Sequence, residues 1–88
     1  MADVETIRDT IRQSVHRITG IAPEQIQDVS DFRKDLDLDS LSALEVMVDV
    51  EYAFKIRVSE ERLQAVRTVQ DAIQVVQEYL NAVKASPA

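Results

Sequence analysis

The sequence predicts an all-α four-helix bundle with three long helices, one short third helix and a long ordered loop between the first two. Three observations carry that expectation. Apolar residues recur at steps of three and four in three long stretches, the spacing that lines one face of a helix. Good capping residues stand at the boundaries of those stretches. No convincing strand appears, and there is no internal repeat or low-complexity linker. The 88 residues suit one domain, 1–88, because a second core would have too few residues to bury.

The first helix is expected over residues 3–19. Val4, Ile7, Ile11, Val15 and Ile18 form its buried stripe, with Arg8, Asp9, Arg12, Gln13, His16 and Arg17 between them. Gly20, the only glycine, follows at the position where a left-handed cap suits a residue without Cβ. Residues 20–38 break the helical period at Pro23, Asp28, Ser30 and Asp31. Ile21, Ile26, Val29, Phe32, Leu36 and Leu38 supply apolar anchors, so this reads as a loop packed across the helices, with one short turn near 23–27.

Asp39 can cap a second helix running to about Phe54, and residues 55–58 form a connector. Ser59 caps the short helix, in which Leu63 and Val66 face inward. Thr68 and Asp71 form a capping-box-like pair at the start of the last helix. Val69, Ala72, Ile73, Val76, Leu80 and Val83 give its buried stripe, and the tail from about 84 to 88 is expected to fray.

Composition narrows the function. The net charge of −6 disfavours nucleic acid and anionic membranes as partners. The absence of cysteine removes disulfide, zinc-ribbon and thiol chemistry. The longest apolar runs are too short for membrane insertion, and the early charges Asp3, Glu5, Arg8 and Asp9 argue against a secretory signal, so a cytoplasmic location is expected. The excess charge is localised: residues 35–54 hold Asp35, Asp37, Asp39, Glu45, Asp49 and Glu51 with no base, while the rest of the chain carries ten acids and ten bases.

The second helix has two apolar rows. Ala43, Val46, Met47, Val50 and Phe54 make a core stripe; Leu41, Leu44, Val48 and Tyr52 make another on a different side, with Glu45 and Glu51 beside it and Asp49 elsewhere on the outer surface. So small a domain cannot easily bury both. The second row is either an exposed docking strip rimmed by acids or a surface covered by the long loop.

The segment Leu36-Asp37-Leu38-Asp39-Ser40-Leu41 precedes this helix. Asp35, Asp37 and Asp39 alternate like the start of a calcium loop, but Ser40 and Val46 stand where that loop needs glycine and glutamate. Ser40 lacks the flanking glycines of a hydrolase nucleophile, and His16, the sole histidine, reads as a solvated residue on the first helix. No phosphate-binding loop, dinucleotide fingerprint or metal-spaced histidine cluster appears, so no catalysis is expected. With Asp39 as cap, Ser40 occupies the first helical position and presents its hydroxyl at the positive end of the helix dipole, where a phosphate ester would be favoured. Asp39-Ser40 as plain capping chemistry is the alternative.

Asp39-Ser40-Leu41 ahead of an acidic helix with Glu45, Glu51 and Phe54, followed by Ile56, the acids Glu60 and Glu61, and Thr68-Val69-Gln70-Asp71-Ala72-Ile73, resembles the acyl carrier protein family over roughly residues 4–80. The resemblance implies a carrier of acyl intermediates in fatty acid or polyketide biosynthesis, not an enzyme. Ser40 would receive 4'-phosphopantetheine from coenzyme A through a phosphopantetheinyl transferase. The arm's thiol would hold acyl groups as thioesters, which accounts for a carrier without cysteine. Asp39, Leu41, Leu44, Glu45, Val48, Glu51 and Tyr52 would form the docking surface, Tyr52 standing where many relatives carry another acid. Acyl-processing enzymes with basic docking patches, such as ketosynthases and acyltransferases, would be the partners of a discrete, monomeric carrier.

Many members of that family have glycine where this chain has Asp37; aspartate tolerates left-handed backbone angles better than most residues. Leu38-Asp39 and the acidic helix favour acyl over aminoacyl cargo. An aminoacyl or peptidyl carrier, and an unmodified acidic helical adaptor, are the alternative functions.

Overall fold

The computed structural model describes residues 3–85, with side chains described through Asn81. Among the described residues four helices follow in chain order: α1 (Val4–Thr19), α2 (Ser40–Phe54), α3 (Glu60–Ala65) and α4 (Val69–Ala85). A single 3₁₀ turn, Pro23–Gln25, interrupts the loop between α1 and α2. The all-α expectation holds, and among the described residues the only β-type pairing is an isolated antiparallel bridge between Asp31 and Thr68.

The expected boundaries follow from side chains that satisfy free backbone groups. Asp39 accepts from the Ser42 N–H at 2.8 Å to start α2, and Ser59 accepts from the Arg62 N–H at 3.4 Å to start α3. At α4 the Thr68 hydroxyl accepts from the Asp71 N–H at 3.1 Å while the Asp71 carboxylate accepts from the Thr68 N–H at 3.2 Å, a reciprocal capping box. Gly20 ends α1 at φ 81°. The same left-handed cap closes α2 on a non-glycine residue, Lys55, at φ 55°. Helix α4 continues through Ala85; residues 86–88 of the expected frayed tail lie outside the described residues, as does the Val83 side chain.

One core joins all the long elements. Ile7, Ile11 and Val15 of α1, Val46, Met47 and Val50 of α2, and Val69, Ala72, Ile73 and Val76 of α4 are buried together, with Leu63 of α3 and Val66, which caps that helix, packed at the edge. The long loop contributes Ile26, Phe32, Leu36 and Leu38. Hydrogen bonds fix it to its neighbours on both sides. Arg8 makes a two-armed contact with Asp28, at 2.7 and 2.8 Å, and Arg12 donates to the Ile26 carbonyl at 2.7 Å. On the other side the Phe32 N–H donates to the Arg67 carbonyl at 2.8 Å, and the Val69 and Gln70 N–H groups donate to the Ser30 and Asp28 carbonyls. The loop therefore runs from α1 to the start of α4 and leaves the outer side of α2 uncovered.

Candidate functional site

The site is a helix end and the convex face behind it. Ser40 is the first residue of α2 and is exposed. Its presentation depends on the turn before it, where Asp37 adopts φ 55°. This is the left-handed conformation that aspartate enters more readily than most residues. Leu36 and Leu38 flank that turn and are both buried, so the backbone is anchored on either side of it. The Leu38 N–H also donates to the Phe32 carbonyl at 2.8 Å. Asp39 then caps the helix. Hydrogen bonds from Ser42, backbone first and hydroxyl second, hold its carboxyl below the ordinary value, with the Arg33 charge a smaller contribution.

The outer row of α2 is open. Leu41 is 67% exposed, Leu44 44%, Val48 46% and Tyr52 86%, whereas Val46 and Val50 on the core side are fully enclosed. The row is therefore exposed, and the loop does not cover it. Glu45 is exposed and sits one turn from both Leu41 and Val48.

The acids of residues 35–54 divide by task. Asp35 accepts from the Asp31 N–H at 2.7 Å inside the loop. Asp49 is not an outer-surface group as the spacing suggests: it is half-buried against α1, accepting from the Ser14 hydroxyl at 2.6 Å and pairing with Arg17. Glu51 also turns inward, accepting from the Val58 N–H at 2.7 Å and so tying the connector to α2. The Asp37 and Glu45 side chains are exposed and take part in none of the side-chain hydrogen bonds or ion pairs found among the described residues. The structure thus brings Asp39, Ser40, Leu41, Leu44, Glu45, Val48 and Tyr52 onto one continuous face, and gives Glu51 a structural contact beside it.

One residue that the sequence reading did not single out belongs to this site. The Arg33 guanidinium donates to the Ser40 hydroxyl oxygen across the loop. The available signal was its position: Arg33 and Lys34 are the last bases before the base-free segment. Two surface grooves, one between α1 and α2 at Thr10, Ser14 and Asp49 and one between α3 and α4 at Arg62, Val66 and Glu78, include neither Ser40 nor the outer row. His16 is exposed, its Nδ1 lying 2.9 Å from the Ile21 carbonyl oxygen. No group of three or more potential metal ligands occurs among the described residues. No described helix is long and apolar enough to cross a membrane.

A phosphate ester fits the groups around Ser40. The hydroxyl is exposed, the amides of a helix N-terminus lie beside it, and a guanidinium reaches it. Comparison with known proteins agrees. The family described as "Phosphopantetheine attachment site" matches residues 9–76. The chain is 34% identical to the acyl carrier protein of Renibacterium salmoninarum over 76 residues, 86% of this chain and 94% of that one. It is 32% identical to the acyl carrier protein of Myxococcus xanthus over 76 residues, 86% of this chain and 96% of that one. It is also 36% identical over 73 residues to the meromycolate extension acyl carrier protein of Mycobacterium tuberculosis, 83% of this chain and 64% of that longer one.

Proposed function

The chain belongs to the acyl carrier protein family, and from that premise we propose that Ser40 is its attachment serine and the outer face of α2 its docking surface. The protein is a carrier of acyl groups in fatty acid or polyketide-type synthesis, not a catalyst, and 4'-phosphopantetheine is its covalent prosthetic group. The arm ends in the thiol that this cysteine-free chain lacks, and that thiol holds acyl groups as thioesters.

The observation that carries the assignment to Ser40 is its place on α2. It is an exposed hydroxyl at the first helical position, with the exposed apolar row starting at the next residue. The chain's contribution is to present and orient. Asp39 and the Asp37 turn fix where the helix begins, and therefore where the Ser40 oxygen points. In the transfer, the Ser40 oxygen would bond to the pantetheine-side phosphorus of coenzyme A as its pyrophosphate bond breaks and adenosine 3',5'-bisphosphate leaves. The phosphopantetheinyl transferase would take up the proton lost from the hydroxyl.

Transferases and acyl-processing enzymes are the partners. More specifically, ketosynthases and acyltransferases with lysine and arginine patches would meet Leu41, Leu44, Val48 and Tyr52 through apolar contact, and Asp39, Glu45 and the free side of Glu51 through charge. A carrier has to leave each enzyme as readily as it finds it. Small apolar contacts with complementary charge suit that, because long-range attraction raises encounter rates. A monomer in the cytoplasm completes the reading.

The test is intact-protein mass after incubation with coenzyme A and a broad-specificity transferase. The expected result is a gain of one phosphopantetheine, abolished by Ser40→Ala with an unchanged circular dichroism spectrum. No gain, or a gain that survives Ser40→Ala, would overturn the assignment. The first of those outcomes would favour an unmodified adaptor.

A further inference from the structure

Among the described residues, Arg33 is the basic side chain found on the Ser40 hydroxyl. It is 7 residues away along the chain, and the loop backbone holds it in position. The Arg33 N–H donates to the Asp31 carboxylate at 2.9 Å. The preceding residue, Phe32, is buried; its N–H donates to the Arg67 carbonyl and its carbonyl accepts from the Leu38 N–H. The guanidinium is exposed, as is the hydroxyl it meets.

A neutral, solvated hydroxyl gives a guanidinium a weak partner. The same oxygen carried as a phosphodiester gives it a strong one, since charge-assisted hydrogen bonds to phosphate are shorter and about twice as strong as neutral ones. The surroundings make the need specific. The new negative charge would stand beside the Asp39 carboxylate and within five residues of Asp35 and Asp37. The Asp39 carboxylate also occupies the Ser42 N–H of the helix end. Arg33 is the group in place to offset that repulsion.

We propose that Arg33 is a positioning residue for the prosthetic arm: the guanidinium that contacts the Ser40 oxygen in the unmodified chain pairs with the phosphodiester after loading. It thereby holds the root of the arm toward the loop, not over the apolar row that begins at Leu41. This inference rests on Ser40 being the attachment serine.

The experiment uses the loaded protein, with loading confirmed by mass before any spectrum is taken. The 31P resonance of the phosphodiester is followed as salt is raised from about 0.01 M to about 1 M, which shortens the screening length from about 30 Å to about 3 Å. The wild-type resonance should move with salt. In Arg33→Gln it should already lie at the wild-type high-salt position and no longer respond. Arg33→Lys should fall between, because an ammonium keeps the charge and loses the planar fork. A resonance and salt response in Arg33→Gln that coincide with wild type would overturn the proposal. Should Arg33→Gln lose its native circular dichroism, an unresponsive wild-type resonance would overturn it instead. A chain that gains no phosphopantetheine contradicts the Ser40 assignment, and that failure is visible in the mass alone.

Discussion

On one side of α2, Val46, Met47 and Val50 are enclosed with residues of α1 and α4; on the other, Leu41, Leu44, Val48 and Tyr52 meet solvent. Both rows repeat at helical spacing and both are apolar, so hydrophobicity does not separate them. Neighbours do. Helices α1 and α4 take the first row, and the long loop, which could have taken the second, is tied to α1 by Arg8 and Arg12 and to the start of α4 by backbone hydrogen bonds. An apolar row left open in this way can serve contact with another protein. The acids follow the same division: Asp49 and Glu51 are engaged by α1 and the connector, while Glu45 stays free within the open row.

The sharpest way to break this comparison is to truncate one residue in each row. Met47→Ala should destabilise the protein by about 2–5 kcal/mol, combining lost burial with the cavity left behind. Leu44→Ala should stay within about 0.5 kcal/mol, as surface substitutions do. Urea denaturation of both variants measures the difference, and equal losses would mean that the outer row is buried in solution.

A smaller effect separates the two glutamates. Removing the Glu51 carboxylate with Glu51→Ala leaves the Val58 N–H without its acceptor and should lower stability by about 1 kcal/mol. Glu45→Gln should leave stability unchanged. It should weaken binding to a basic partner enzyme and flatten the dependence of that binding on salt. Loss of stability in Glu45→Gln, or none in Glu51→Ala, would reverse the roles given to them here.

Much of this was legible in the sequence because it is local. Asp39, Ser59, the Thr68–Asp71 pair and Gly20 act on backbone groups two to four residues away, and such rules need no tertiary knowledge. Asp37 was readable as a residue able to adopt a left-handed angle. Ser40 followed from its cap and from family likeness. The rest depends on residues far apart in the chain. Two rows of equal spacing cannot disclose which one the fold will cover. Arg8 meets Asp28, Ser14 meets Asp49 and Arg33 meets Ser40 only after the loop has been placed. The inward turn of Glu51 depends on a connector whose path is set by Lys55 adopting a conformation that its sequence position gives little reason to expect.

The smallest effect tests why the outer row stays open. Arg8 holds the Asp28 carboxyl below its ordinary value of 3.8, mainly through their hydrogen bonds and less through charge. Between the folded and unfolded values the unfolded chain binds more protons, so this contact adds stability as pH rises through that interval. Its contribution is complete above about pH 5 and is lost as the carboxyl protonates below about pH 4. Asp28 is partly solvated, so the effect is modest. Asp28→Asn should therefore melt slightly below wild type at pH 7, and the gap in melting temperature should narrow as pH falls below about 4 toward the lowered folded value, as wild type gives up the same charge. A gap that stayed constant across that range would detach the loop's anchoring from the Asp28 charge. The Arg12 contact with the Ile26 carbonyl would then be the tie that keeps the loop on α1 and off the outer face of α2.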